Sequence, residues 1–201
     1  MRITEKFAAV LAILGTIMRL LHVPGGGMAS VLGLTTLAIL YFPLGILLLR
    51  NETIREFFKS VRERKSGAGV AFASSWVLAT LTSGIMFKIM FWPGSGMMLS
   101  FGVAATGIGA GIGYFFLSNK YPEIVKRMLS RAIPLLVAGI LLMTIPYEKL
   151  VYAFWPGENP YQQAYRDMLL HPDDLQRWQR LEAIRDSLDM LPMSTDSVHQ
   201  P

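Results

Sequence analysis

Long segments of this chain contain almost no charged side chains. Gly25 to Leu49 and Leu99 to Ser118 contain none, and Val70 to Met98 contains only Lys88. A helix rises about 1.5 Å per residue, so crossing roughly 30 Å of hydrocarbon takes about 20 predominantly apolar residues. These segments therefore predict membrane-spanning helices.

Two further segments are apolar enough to extend this prediction. Phe7 to Leu21 carries only Arg19, and Ala132 to Tyr147 is uncharged. Only 16% of all residues are charged, whereas soluble domains are about one quarter charged. We predict an all-α integral membrane protein that contacts the lipid bilayer. Its five transmembrane helices are predicted at residues 4–23, 28–49, 69–91, 97–118 and 132–153.

The basic residues are concentrated in two predicted connectors, residues 51–68 and 119–131, and at their borders. They are Arg50, Arg55, Lys59, Arg62, Arg64, Lys65, Lys120, Lys126, Arg127 and Arg131. Short loops rich in Lys and Arg mark the cytoplasmic side of a membrane. We therefore predict a cytoplasmic N-terminus and an external tail over residues 154–201. The net charge of +5 does not indicate nucleic-acid binding, because the sequence shows no separate soluble basic domain.

A short motif occurs twice in the chain at a constant offset of 69 residues. The first copy reads MRLLHVPGGGMA over residues 18–29, and the second reads FKIMFWPGSGMM over residues 87–98. Each copy joins two predicted helices, so the sequence predicts two parallel helical hairpins, 1–50 and 69–118, related by an axis along the membrane normal. AFWPG at residues 153–157 suggests an eroded third copy.

The paired motif allows two interpretations. The candidate residues are Arg19, His22, Pro24, Gly25, Lys88, Trp92, Pro93 and Gly94. In the first, proline ends a helix, glycine supplies a positive φ, and the two cations snorkel to the headgroups. In the second, the cations are functional intramembrane charges that pair with another subunit or belong to a proton relay. A relay would need an acidic group, and the predicted helices two to five contain no Asp or Glu before Glu148.

The fourth predicted helix is rich in glycine. The glycines are Gly102, Gly107, Gly109, Gly111 and Gly113. Small residues four apart let helix backbones approach closely in lipid, which predicts that this helix is the central packing element. A phosphate-binding loop would need a preceding strand, and none is predicted. Proline predicts kinks in two other helices, at Pro43 and Pro134.

The tail is polar and predicted to be helical. Asn159 and Pro160 indicate the start of a helix that runs to Leu170. A second, amphipathic helix is predicted to begin with Pro172, with an apolar stripe at Leu175, Trp178, Leu181, Ile184, Leu188 and Leu191. This stripe either packs on the tail or membrane surface, or docks a periplasmic partner. Residues 194–201 are predicted to be disordered.

The sequence offers little for catalysis. It contains no cysteine, three scattered histidines and no hydrolase or zinc motif. HPDD at residues 171–174 would bind a cation only weakly and serves equally well as a helix start. We therefore predict no enzymatic activity, no cofactor and no metal. The N-terminal helix lacks a small-residue cleavage site and is interpreted as an uncleaved signal anchor.

The second hairpin resembles a known family. GIMFKIMFWPGSGMMLSFGV, residues 84–103, is similar to the transmembrane hairpin of gliding motility protein L (GldL) of Bacteroidota, a motor partner of type IX secretion and gliding. FKIMFWPG matches that family's F-K-I-x-H-W-P-G except that Phe91 replaces the histidine. The first hairpin retains it as His22. The resemblance implies residence in the bacterial inner membrane.

The sequence also departs from that family. The family's returning helix carries a glutamate, where this chain has Thr106 and Leu37. The family has two spanning helices and a long cytoplasmic segment, whereas five spans and a short external tail are predicted here. We therefore expect a non-enzymatic membrane subunit or scaffold that assembles with a membrane protein or with itself. The alternative is a small transporter or ion-channel component.

Overall fold

The computed structural model describes residues 2–42, 44–53, 56, 67–92 and 94–189. Within these ranges the chain forms α-helices and one π-helical turn, without strands. The helices are α1 Arg2–Leu20, α2 Gly26–Tyr41, α3 Gly45–Arg50, α4 Ala68–Ile89, α5 Ser95–Ile112, α6 Pro122–Thr144, α7 Tyr147–Phe154, α8 Pro160–Leu170 and α9 Leu175–Asp189. The π-helical turn, Gly113–Leu117, continues α5. Two compact units result, Met1–Ile145 and Pro146–Pro201.

Three described helices are long and apolar enough to cross a membrane. They are α4, α5 with its π-helical turn, and α6. The predicted span 69–91 begins and ends within two residues of α4. The predicted span 97–118 likewise agrees within two residues with α5 and its π-helical turn. These three helices support the prediction of an all-helical membrane protein.

The first two predicted spans do not meet the same standard in the structure. Helix α1 has 19 residues and carries Arg2, Glu5, Lys6 and Arg19. Helix α2 has only 16 residues and ends at Tyr41, and the chain resumes helically in α3. The single predicted span 28–49 is therefore two helices. Pro43, the predicted kink, lies outside the described residues.

The predicted bounds of the fifth span, 132–153, are wrong. Helix α6 begins ten residues earlier, with Pro122 in its first turn, and ends at Thr144. The residue before a proline disfavours helical geometry, and Ile145, which precedes Pro146, is extended with φ −78° and ψ 120°. Most of the predicted connector 119–131 is thus helical. Pro134 lies inside α6, which continues through it.

Helix α4 is the most buried of the three long helices. Its apolar window is 56% buried, compared with 22% for α5 and 17% for α6. The first unit packs α1 on α2, α2 on α4, and both α5 and α6 on α4. The prediction that the glycine-rich fourth span is the central packing element is therefore wrong, because α4 occupies the centre.

The second unit confirms the predicted first tail helix. The Asn159 side chain accepts a 2.7 Å hydrogen bond from the backbone N–H of Gln162, and Pro160 follows at the first helical position. The predicted stripe of α9 is divided. Leu181 and Ile184 are half-buried, whereas Leu175 and Trp178 are exposed. Leu191 and residues 194–201 lie outside the described residues.

Acidification is expected to weaken the start of α9. The hydrogen bond from Arg177 Nε to Asp174, 3.0 Å long, holds the pKa of this carboxyl below its usual range. Because the pKa is lowered in the folded state, this contribution is complete above the ordinary value of about 3.9 and is lost as the pH falls through the folded value. Circular dichroism in micelles should show that the Asp174→Asn chain loses less helix between pH 7 and pH 2 than the unaltered chain loses. Asp173→Asn is the control and should behave as the unaltered chain does.

Candidate functional site

The turn between α1 and α2 closes with a specific hydrogen-bond pattern. Val23 N donates to Met18 O at 2.8 Å, and His22 N donates to Arg19 O at 3.1 Å. His22 adopts a positive φ of 59°. This is a Schellman motif, which usually places glycine at the left-handed position.

The turn between α4 and α5 has the same pattern 69 residues later. Trp92 N donates to Phe87 O at 3.0 Å, and Phe91 N donates to Lys88 O at 3.4 Å. Phe91 adopts a φ of 58°, close to that of His22. A positive φ in a bulky residue is a genuine outlier, so this turn holds a locally disfavoured conformation. The sequence predicted a positive φ at glycine alone, so it named His22 as a candidate residue without this conformation and did not name Phe91 among the candidates.

Glycine has the predicted positive φ three residues later in each turn. Gly25 and Gly94 have φ values of 87° and 75°, and each precedes the first turn of the following helix. Pro24 lies in the turn between α1 and α2, directly before Gly25. Pro93 lies outside the described residues. The geometry predicted for a tight glycine reversal is therefore present in both turns.

A cation from the first hairpin lies against the second turn. The Arg19 guanidinium is 5.7 Å from the centroid of the Phe91 ring, and its Nη1 is 3.1 Å from Met90 Sδ. Guanidinium groups are attracted to aromatic faces, more so where water is excluded. Arg19 therefore links the two turns that the sequence pairs by offset.

Lys88 and Trp92 differ in their exposure. Lys88 is 8% exposed and lies within the helical bundle near the end of α4, so it does not extend along the surface. Trp92 is 43% exposed and packs edge-on against Phe87 with the ring centroids 4.8 Å apart. The low exposure of Lys88 shows that its side chain packs among other residues of the protein.

A second polar cluster joins three helices at the end of the bundle opposite the turns. Arg131 Nη2 on α6 donates to Glu5 Oε2 on α1 at 2.8 Å, and Arg131 Nε also donates to this carboxylate. The Tyr41 hydroxyl on α2 donates to Glu5 Oε1 at 3.1 Å. The Glu5 and Arg131 side chains are each 13% exposed. The sequence interpretation sought an acid for Arg19 and Lys88 and missed this pair, whose members are 126 residues apart.

The cluster continues along α6. Arg131 Nη1 donates to Arg127 O at 2.9 Å, and Arg127 Nη1 donates to Leu49 O of α3 at 3.1 Å. These bonds satisfy several guanidinium donors that would otherwise be costly to bury. Arg127 and Arg131, predicted as residues of a cytoplasmic connector, are instead tied to the first half of the chain.

Glycines four apart in α5 and its π-helical turn form two pairs, Gly109 with Gly113 and Gly107 with Gly111, which face in different directions. A Cβ atom at Gly109 would touch Val77 and Met128, and one at Gly113 would touch Val125 and Met128. A Cβ at Gly107 or Gly111 would meet nothing within 4 Å. The pair Gly109 and Gly113 therefore packs against other helices of the unit, whereas the pair Gly107 and Gly111 has no neighbouring atoms in contact.

The closest helix contacts lie at other glycines. A Cβ at Gly102 would be 2.8 Å from Leu81 Cα, and one at Gly84 would be 2.9 Å from Leu99 Cα. In the first hairpin, Gly33 faces the Ala12 backbone and Gly15 faces the backbone of Ala29 and Ser30. Gly15 and Gly84, like Gly33 and Gly102, are separated by 69 residues. Each hairpin thus has a seam at equivalent positions.

The predicted third copy of the hairpin does not have this turn geometry. Phe154, which matches Phe91, is the last residue of α7, and neither Phe154 nor Gly157 has a positive φ. The side chain of Gln162 occupies the space beside Gly157. AFWPG therefore repeats the letters of the motif but not its conformation.

Substitution of His22 tests the left-handed position. His22→Gly and His22→Val both remove the imidazole, but only valine has a Cβ that opposes a positive φ. We expect the valine variant to be less stable than the glycine variant by about 1–2 kcal/mol. Thermal unfolding in detergent would measure the difference, and equal melting temperatures would contradict it. The same comparison of valine with glycine at the exposed position Val10 provides a background control.

The described part of the chain contains no cluster of side chains that could bind a metal ion. No group of three His, Asp or Glu side chains is placed there to hold an ion. His171 and Asp174 line a surface depression of about 610 Å³ with Pro172 and Leu175. The Asp174 carboxylate accepts hydrogen bonds from Arg177 Nε and from the backbone N–H of Gln176, as expected for a helix start.

Comparison with known proteins yields no relative. No protein family, no curated protein and no solved structure matches this chain.

Proposed function

We propose that this chain is a non-enzymatic inner-membrane subunit or scaffold built from two copies of one hairpin, α1–α2 and α4–α5. The main support is the apolar surface of α5 and α6. Less than a quarter of either span is buried within the chain. Exposed residues on these helices include Phe101, Ile108, Ile133, Val137 and Leu141. Such a surface requires lipid or other apolar helices around it.

The equivalent turns and seams support the duplication. Both turns pair a positive-φ residue with the same two hydrogen bonds, and both seams bring a glycine against a facing backbone. The resemblance of residues 84–103 to gliding motility protein L supports a role beside gliding or type IX secretion components. Thr106 replaces the family's glutamate and donates a 3.2 Å hydrogen bond to Val77 O. This contact is suited to joining helices and not to torque generation.

Isolation of the intact complex tests this proposal. The full chain, tagged at its tail, would be solubilised from native membranes in mild detergent and purified with its neighbours. Recovery of gliding or type IX secretion components is the expected result. Recovery of the chain alone would count against a subunit of that machinery. The cytoplasmic N-terminus would be tested separately by labelling single cysteines at Ile3 and Val23, both of which are exposed.

The alternative is a small transporter or ion-channel component. The observation that favours it is the low exposure of Lys88, an ionisable residue within a candidate span. In a scaffold, Lys88→Met should reduce recovery of partners. In a transporter or channel, the same variant should alter flux into proteoliposomes and leave the assembly intact. Lys126→Met is the control, because Lys126 is exposed at the start of α6.

A further inference from the structure

The helix lengths allow the depth of Glu5 to be measured from the paired turns. Glu5 lies fifteen residues before the end of α1, and Tyr41 lies fifteen residues after the start of α2. At about 1.5 Å per residue, both lie about 22 Å from the first turn. Arg131 lies thirteen residues, or about 20 Å, before the end of α6 at Thr144.

The end of α6 lies near the level of the second turn. A Cβ at Gly139 would be 3.0 Å from Leu81 Cδ1, so these two residues share a level. Leu81 is eight residues, or about 12 Å, below the end of α4. Thr144 is five residues, or about 8 Å, beyond Gly139. Three helices therefore place the Glu5–Arg131 pair at a similar distance from the turns.

That distance is shorter than the hydrocarbon layer. The layer is about 30 Å thick, and the turns mark one of its boundaries if the chain spans the membrane as proposed above. The pair then lies several ångströms inside the opposite boundary, where water is scarce. A charge at that depth is costly unless it is paired.

We propose that Glu5, Arg131 and Tyr41 form an ion-pair lock inside the hydrocarbon layer that holds the first hairpin against α6. The lock deepens the proposed scaffold function, because it fixes the arrangement of the two halves of the first unit. Its polar atoms are directed at one another, as the 2.8 Å and 3.1 Å contacts to Glu5 show. The low dielectric around it strengthens both contacts.

Depth labelling tests the lock. The chain has no cysteine, so single nitroxide labels can be placed in the full-length protein in liposomes. Phe7 and Ile133 are exposed, and each lies two residues from a member of the pair, toward the turns. Both labels should collide more often with oxygen than with a water-soluble nickel chelate. Lys126→Cys should show the reverse ratio, and Val137→Cys marks a position four residues closer to the turns than Ile133.

The outcomes separate this lock from the proposed function. Aqueous labels at Phe7 and Ile133 with a lipid-exposed label at Val137 would overturn the lock and leave the membrane subunit intact. An aqueous label at Val137 would overturn both. In the Glu5→Gln chain, the Phe7 label should move toward water, and an unchanged label would refute the lock. If that variant fails to fold, Glu5→Arg with Arg131→Glu should restore the fold and the original depths, and failure to do so would refute it.

Discussion

Gly102→Val is expected to prevent the second hairpin from closing. The valine Cβ would lie 2.8 Å from Leu81 Cα and 3.1 Å from Leu81 N, which are backbone atoms of α4. Because backbone cannot rotate away as a side chain does, α4 and α5 would have to separate. We expect a loss of about 3 kcal/mol or more in stability, together with aggregation during purification. Size-exclusion chromatography and thermal unfolding in detergent would measure both.

Gly107→Val is the matched control on the same helix. A Cβ at Gly107 meets nothing within 4 Å, so the same substitution should leave the fold of the chain unchanged. Valine is a slightly better helix former than glycine, which adds a few tenths of a kcal/mol. Equal damage from both substitutions would contradict a specific seam at Gly102.

Removing one member of the Glu5–Arg131 pair is expected to cost about 3–5 kcal/mol of stability. In Glu5→Gln, the Arg131 guanidinium loses its carboxylate while remaining largely buried. In Arg131→Met, the Glu5 carboxylate retains only the Tyr41 hydroxyl among these contacts. Either change leaves an uncompensated charge, and thermal unfolding of the full chain in detergent would measure the loss.

The double variant distinguishes an ion pair from two independent contacts. Glu5→Gln with Arg131→Met removes both charges, so its stability should lie close to that of the unaltered chain. Additive losses would show that the two side chains do not act as a pair. Arg177→Met provides a control, because this arginine belongs to the second unit and forms a more exposed pair with Asp174.

Local signals in the sequence predicted much of the secondary structure. Segments with one charged residue or none predicted α4 and α5, the Pro-Gly motifs predicted both turns, and Asn159 with Pro160 predicted the start of α8. Pro122 and Pro146 carried the information for the true bounds of α6, since proline favours the first turn of a helix and opposes helical geometry before it. The prediction gave more weight to the positions of charged residues and misplaced this helix.

Contacts between distant residues were decided only by the tertiary structure. Nothing near Glu5 identifies Arg131 as its partner, and nothing in the glycine spacing shows that Gly102 faces a backbone while Gly107 faces outward. A local pattern gives the periodicity of a helix, but the rotation of that helix against its neighbours depends on the packing of the whole bundle. The sequence alone determined where apolar helices and turns form, because those follow from side-chain hydrophobicity and backbone geometry. Which faces meet was decided by the packing of all the helices together, which pairs their buried polar atoms and closes the seams.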